Sequence, residues 1–301
     1  MLEVEATMSI GALSERTGVP VETLRVWERR YAALAPRRSS GSHRRYDLND
    51  VERVTWLAAR VAAGQRISAA VAALDAIGLA PRSGHRQPTL AQSLVDGSIR
   101  ADPRQLEQDL DRAFDLFTLT QALELSVFPA LSELATRWVA GENTITAEHM
   151  LSESVTRRLS LRLAEHRPSA GPPTAIFCPS GERHVIGALA LAVLVTQDGR
   201  SVAFLGANTP VDDVAHLMSG RYIGSAVAVC TMPDAADTVR ASLEAKRLTP
   251  SSWSVAGPAF ANRADGLSRS MPFLGTDLCA ARDRLRELAP RQRHNTRGTK
   301  Q

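Results

Sequence analysis

Apolar positions fall into three regimes along the chain. From Met8 to about Leu79 they come as short stripes at helical spacing: Ile10 and Leu13, then, beyond Gly18-Val19, a second stripe through Val21, Leu24, Trp27 and Tyr31. Residues three or four apart share one face of a helix, so each stripe predicts a short amphipathic helix, and the glycine between them predicts a tight turn. After Pro36 the segment RRSSGSHRRY has a Ser/Gly centre suited to a turn between two short strands, and Asp47 to Ala63 returns to helical spacing. The breakers of APRSGHRQP, 80–88, then predict a linker.

The second regime, 89–167, carries no strand signal. Leu90 to Val95, Pro103 to Leu116, Thr120 to Val139 and Thr146 to His166 read as amphipathic helices, which predicts a small bundle of three or four helices. RPSAGPP, 167–173, breaks the pattern as a second hinge. In the third regime, 174–289, short apolar runs alternate with helical segments. The strands predicted are Ala175 to Cys178, Val202 to Leu205, Ala226 to Cys230 and Trp253 to Ala256, with a short fifth at Phe273-Leu274. Helices fit at Val185 to Thr196, Val211 to Met218, Asp234 to Ala245 and Leu278 to Leu288. Such alternation predicts a doubly wound parallel sheet with a ligand crevice at the carboxyl ends of its strands. The expected domains are therefore 1–80, 89–167 and 174–289, followed by a polar, basic tail, 290–301, expected to be disordered.

Composition narrows this only where it is uneven. At 301 residues, 44% hydrophobic and 23% charged, the chain has the makings of two or three cores. The net charge of +4 is modest, but seven arginines (25, 29, 30, 37, 38, 44, 45) lie between Arg25 and Arg45 against one acid, Glu28. A solvated face is one explanation; beside a helix-turn-helix, phosphate contact is the better one. Cys178, Cys230 and Cys279 lie about fifty residues apart without a C-x-x-C pair, so a structural zinc or disulfide framework is not expected, and each reads as a small buried hydrophobe. The longest apolar run, Ala188 to Val195, is too short to span a bilayer, and the opening MLEVEATMSIGALSERTG has no apolar segment of a secretory signal. A cytoplasmic protein without membrane contact is expected.

Arg25 and Arg29, four residues apart, share a face of the second helix, while Leu24, Trp27 and Tyr31 point largely elsewhere. One face can enter a major groove as the other packs inward, and His43, Arg44 and Arg45 on the hairpin can grip phosphates. Trp27, Tyr31 and Tyr46 are equally readable as core aromatics. The stretch SIGALSERTGVPVETLRVWERRYAALAPRRSSGSHRRYDLNDV resembles the MerR superfamily across the whole winged helix-turn-helix, and LRVWERRY with P-R-x-S-x-G-x-H-R-R-Y resembles its CarH/LitR subgroup of cobalamin-dependent, light-sensing repressors. The resemblance implies contacts to double-stranded operator DNA from Thr23, Arg25, Arg29 and Tyr31 on the helix and from His43, Arg44, Arg45 and Tyr46 on the wing.

Two further motifs bear on sensing. Trp138 is followed after nine residues by Glu148-His149, and GERHVIG sets Glu182, His184 and Gly187 just after the first strand of the third regime. Taken alone, the first is open between packing and ligand contact. The second is open between an ordinary polar loop and a metal-binding imidazole with Glu182 to orient it. Together, in this order, they resemble the cobalamin-binding region of the same subgroup and of methionine synthase. That likeness implies a four-helix-bundle cap over a flavodoxin-like, Rossmann-like sheet. It implies His184 as lower axial cobalt ligand, Glu182 on its other ring nitrogen, and Gly187 making room for the nucleotide tail. Trp138 shields the upper face, with Glu148 beside it and His149 available as an upper cobalt ligand after photolysis. LGANTP, Leu205 to Pro210, matches the subgroup's second loop. The subgroup's S-x-L is replaced by VCTMP, where Thr231 offers a hydroxyl and Pro233 stands at the leucine position, and its Gly-Gly reads Ala256-Gly257, whose extra methyl could crowd the tail.

A repressor assembled as a homodimer or homotetramer by adenosylcobalamin and released by light is the function implied, with no catalysis. RNA polymerase stays open as a further partner, as do activation in place of repression and another tetrapyrrole, or no ligand, in a drifted sensor. A cobalamin enzyme or carrier is disfavoured by the DNA-binding end and the lack of a substrate-binding barrel.

Overall fold

The computed structural model describes residues 7–38, 43–74, 77, 79, 89–167, 171–245, 252–261 and 271–288. The expected linker at 80–88, the centre of the second hinge and the tail from 290 lie outside them. Contacts divide the chain into two compact units, 1–151 and 152–301.

The first unit opens with α1 (Ile10–Thr17) and α2 (Val21–Tyr31). Ser9 caps α1 by accepting from the Ala12 amide, and Gly18 ends it in the left-handed region at φ +70°, where its amide reaches the Ser14 carbonyl. A two-stranded antiparallel ribbon follows, β1 (Arg37–Arg38) and β2 (Arg44–Arg45), in the register Arg37 to Arg45 and Arg38 to Arg44. Asp47 and Asp50 form a reciprocal capping box at the start of α3 (Leu48–Ala62), and α4 (Ile67–Ala73) completes this part. The helical part holds α5 (Leu90–Ile99), α6 (Pro103–Leu116), α7 (Leu119–Ala122), α8 (Phe128–Val139) and the start of α9 (Ile145–Ala164). The single helix expected over 120–139 is broken by a π-helical turn at Leu123–Val127. Pro129 explains it, because proline has no amide for the carbonyl four residues back and its ring crowds that carbonyl.

The second unit is a parallel sheet of order β4-β3-β5-β6, formed by β3 (Thr174–Pro179), β4 (Val202–Thr209), β5 (Ser225–Val229) and β6 (Trp253–Ala256). Side chains alternate across β3. Ala175 and Phe177 join a core with Val211, Val214, Ala236 and Val239 from α11 (Val211–Ser219) and α12 (Pro233–Glu244). Ile176 and Cys178 join the opposite core with Leu191, Val195, Ala281 and Leu285 from α10 (Val185–Gln197) and α14 (Leu278–Leu288), after the short α13 (Pro258–Ala261). Helices thus cover both faces, which is the doubly wound arrangement. The expected fifth strand is reduced to a single bridge between Val255 and Phe273. Arg282 and Arg286 bond the Asp198 carboxylate at the end of α10 and so tie α14 down. Cys178 and Cys230 are buried as expected, and burial pushes the Cys178 thiol up to about 12. Cys279 is exposed, because Ala281 and Leu285 turn the inner face of α14 elsewhere.

Candidate functional site

In α2 the inward face is Leu24 and Trp27, both buried, while Arg25, Arg29 and Arg30 are exposed and Thr23 and Tyr31 are half-buried. His43, Arg44 and Arg45 are exposed on the ribbon. A groove of about 660 Å³ brings Arg25 and Arg29 of the helix together with His43, Arg44 and Arg45, and is lined also by Ser9, Ile10, Glu28 and Tyr46. Cations on two elements around one groove suit a polyanion. Tyr46 departs from expectation: it is 0% exposed, its hydroxyl donates to Glu28 Oε2 at 2.6 Å, and its backbone pairs with Met8. Burial, then the Glu28 carboxylate, push its hydroxyl far up. A ring so enclosed packs the wing onto the domain and does not face a duplex.

At the other end, the sheet order puts β4 and β5 on opposite sides of β3, so the chain reverses direction across the sheet at the carboxyl end of β3. Glu182 sits in the loop there, 0% exposed, and both of its oxygens are engaged. Oε1 accepts from the His184 amide at 2.9 Å and lies 2.6 Å from His184 Nδ1; Oε2 accepts from the Thr231 and Met232 amides at 2.6 and 2.8 Å, across the reversal. Burial alone would raise this carboxyl, but the hydrogen bonds from the His184 ring and amide and the Met232 and Thr231 amides outweigh it and hold it at about 2. An ionised Glu182 fixes the proton of a neutral His184 ring on Nδ1, so the lone pair lies on Nε2 of an imidazole that is 61% exposed.

Asn208, at φ +52° in LGANTP near the end of β4, completes the frame. Its side-chain oxygen accepts from the Gly181 amide at 2.9 Å, and its own amide donates to the Glu182 carbonyl at 3.0 Å. Gly187, on the first turn of α10, has nothing within 4 Å of where a Cβ would stand, so its surface is open. Gly257, at φ +102°, would put a Cβ 2.3 Å from the Cys230 carbonyl, so the strand ends themselves require glycine there. The Ala256 methyl packs into the sheet core with Ile176 and Val229. The amides of Thr231 and Met232 and the role of Asn208 were not read from the sequence. Backbone donors leave no side-chain signature; the LGANTP match was the one available signal.

In the first unit, Thr144 is buried and donates to the Leu134 carbonyl at 2.7 Å, which ties the start of α9 to α8. Trp138, near the end of α8, is 53% exposed. On the first turns of α9, Glu148 and His149 come together, Oε2 to Nε2 3.7 Å, with side chains 37% and 70% exposed. A tryptophan left more than half exposed beside exposed Val139 and Ile145 is apolar surface held out of the core.

Residues 8–77 match the family model described as MerR HTH family regulatory protein. The chain is 27% identical over 226 residues to the HTH-type transcriptional repressor CarH of Myxococcus xanthus, covering 70% of this chain and 74% of that one. It is 29% identical over 207 residues to the HTH-type transcriptional repressor CarA of the same organism, covering 68% and 69%. Residues 8–77 are thus a MerR-type helix-turn-helix, and the chain is similar to CarH-type repressors over about 70% of its length. Its helix-turn-helix is accordingly a DNA-binding module, and the arginine-lined groove lies within the matched residues. Among solved structures, the monomethylamine corrinoid protein of Methanosarcina barkeri is 13% identical, with 66% of this regulator and 98% of that chain covered and a TM-score of 0.48. A likeness that loose carries no function. No helix among the described residues is long and apolar enough to cross a membrane.

Proposed function

We propose that this regulator is a repressor that binds operator DNA through its winged helix-turn-helix and senses adenosylcobalamin, and through it light, with its carboxyl-terminal half. The supporting observation is the Glu182–His184 pair: a carboxylate that is 0% exposed, held by four hydrogen bonds, orients an exposed imidazole at the point where a doubly wound sheet takes ligands. These residues fit a cobalt corrinoid. The ring nitrogen turned away from Glu182 is a borderline-soft donor suited to cobalt, and the open face of Gly187 leaves room for a nucleotide tail.

When bound, adenosylcobalamin supplies a cobalt–carbon bond that light breaks. His184 would hold the cobalt from below and Glu182 would keep its ring in one tautomer, with Thr231 and Gly257 at the same crevice. Trp138 would shield the corrinoid, Glu148 would lie beside it, and His149 would offer a second imidazole able to hold the cobalt, on their motif and exposure. Arg25, Arg29, Thr23 and Tyr31 would read the operator, and His43, Arg44 and Arg45 would grip its backbone. Residues 1–80, 89–167 and 174–289 are taken as DNA-binding, cap and corrinoid-binding domains of a cytoplasmic homodimer or homotetramer. Ligand drives assembly only if it binds the assembled form more tightly than the protomer.

The test is size-exclusion of the purified full chain with adenosylcobalamin in darkness and after green illumination. Co-elution of corrinoid with a larger species that shrinks on illumination supports the reading. Corrinoid eluting apart from the protein overturns it, and co-elution of another tetrapyrrole replaces it with the drifted-sensor reading.

A further inference from the structure

Among the described residues, Glu28 is the one acid whose side chain lines the arginine groove. On electrostatics alone it is misplaced, since a carboxylate beside phosphates repels them. Its geometry gives it a different task. The side chain is only 16% exposed, and its two oxygens are taken by two residues of the wing: Oε1 lies 2.8 Å from Arg44 Nε, and Oε2 accepts from the Tyr46 hydroxyl at 2.6 Å. Glu28 itself belongs to α2, one residue before Arg29 and three after Arg25. Tyr46 is in turn fixed by its backbone pair with Met8. A single carboxylate therefore fastens the wing to the reading helix, and the helix-to-wing spacing is set before any duplex arrives.

We propose that Glu28 is a positioning residue that determines operator specificity: by holding Arg44 and Tyr46 to α2, it makes the duplex fit a preset distance between helix and wing. This rests on the DNA-binding reading above. The consequence is a trade. Arg44 is partly neutralised and grips random DNA less well, while sequences whose groove matches the preset spacing are favoured.

The experiment uses the full chain and two duplexes of equal length, one enriched from a random pool by the wild-type protein and one of random sequence. Affinities are measured by fluorescence anisotropy over a salt series, with melting midpoints in parallel, for the wild type, Glu28→Gln and Tyr46→Phe. Glu28→Gln keeps an oxygen for the Tyr46 hydroxyl but frees Arg44. It is expected to bind random DNA as well as or up to several-fold better than wild type. Its salt slope on random DNA should steepen by about one, for one more phosphate contact. Affinity for the enriched duplex should fall, so that the specificity ratio drops at least tenfold; Tyr46→Phe should lower that ratio less. If both affinities rise together at an unchanged ratio, Glu28 is only a misplaced charge and the inference is overturned. If both fall together with the melting midpoint, its role is structural and the inference is overturned likewise. Wild-type protein that binds neither duplex overturns the DNA-binding reading as well as this one.

Discussion

Glu52 and Glu182 are both buried carboxylates, 3% and 0% exposed, one in each unit, and their surroundings drive them in opposite directions. Glu52 lies on α3 within an unbroken run of buried positions from Asp50 to Leu57. It accepts from the Leu90 amide at 3.0 Å, at the start of α5. Burial pushes it up to about 7, and the Leu90 amide, Arg112 and Arg53 offset that only in part. Glu182, with four hydrogen bonds converging on it, is held at about 2. Burial therefore does not decide charge; the number of donors does. Where the chain supplies four, it keeps an anion that can orient an exposed imidazole. Where it supplies one amide, it joins the DNA-binding part to the helical part with a group that titrates near neutrality.

Removing Glu182 should have the largest effect. Glu182→Ala leaves three amides and the His184 ring facing a hole, for a loss of about 3 kcal/mol or more in a denaturant titration. Glu182→Gln, which keeps the shape, should cost less stability but lower corrinoid affinity about 10–100-fold, the usual effect of losing the partner of a ligating histidine. Equal corrinoid affinity in Glu182→Gln and wild type would sever the carboxylate from sensing.

The pH dependence comes next, and the two acids have opposite signs. Glu182 ionises more readily folded, at about 2, than unfolded, near 4.5, so its contribution is complete above pH 4.5 and is lost as pH falls toward 2. Roughly 3 kcal/mol is at stake at 1.36 kcal/mol per pKa unit. Glu52 keeps its proton longer folded, to about 7, than unfolded, so stability is lost as pH rises from 4.5 to 7 and is level beyond. Melting curves of wild type should carry both slopes. Glu182→Gln should flatten the acid limb alone.

The smallest effect belongs to Glu52→Gln, which keeps an acceptor for the Leu90 amide and removes the titration. We expect the variant to exceed wild type by up to about 3 kcal/mol at pH 8 and by nothing at pH 4, because it lacks the wild type's fall in stability between pH 4.5 and 7. A loss at pH 8 would mean that the Arg53 and Arg112 attractions outweigh the cost of burial, and the contrast between the two sites would collapse.

Most of the architecture was legible because its signals are local. The strands around Ile176, Val227 and Val255 are apolar runs between breakers, and the helices of both units keep their period. The Phe273-Leu274 run did not extend into a strand beyond one bridge to Val255. The π turn followed from Pro129, whose effect on a helix is visible in sequence only as a break and not as a wider turn. At the sites, Glu182 and His184 could be picked out because their side chains do the work two residues apart. Thr231 and Met232 could not, since they act through amides brought from fifty residues away by the reversal of the sheet. Nothing in the sequence singles out Glu52, and only the packing of the Leu90 end against α3 reveals it as interior. Tyr46 was open between a core aromatic and the DNA contact that the resemblance implies, and the Glu28 carboxylate is what lets its hydroxyl be buried.

The central claim is that His184, with its tautomer fixed by Glu182, is the protein's cobalt ligand. The direct measurement is electron paramagnetic resonance of the full chain carrying cob(II)alamin, prepared once with ordinary and once with ¹⁵N-labelled histidine. Superhyperfine triplets that become doublets on labelling, and labelled doublets that vanish in His184→Ala, are the predicted result. Triplets that survive the labelling would assign the axial nitrogen to the corrinoid's own base, and the account of this crevice would be wrong.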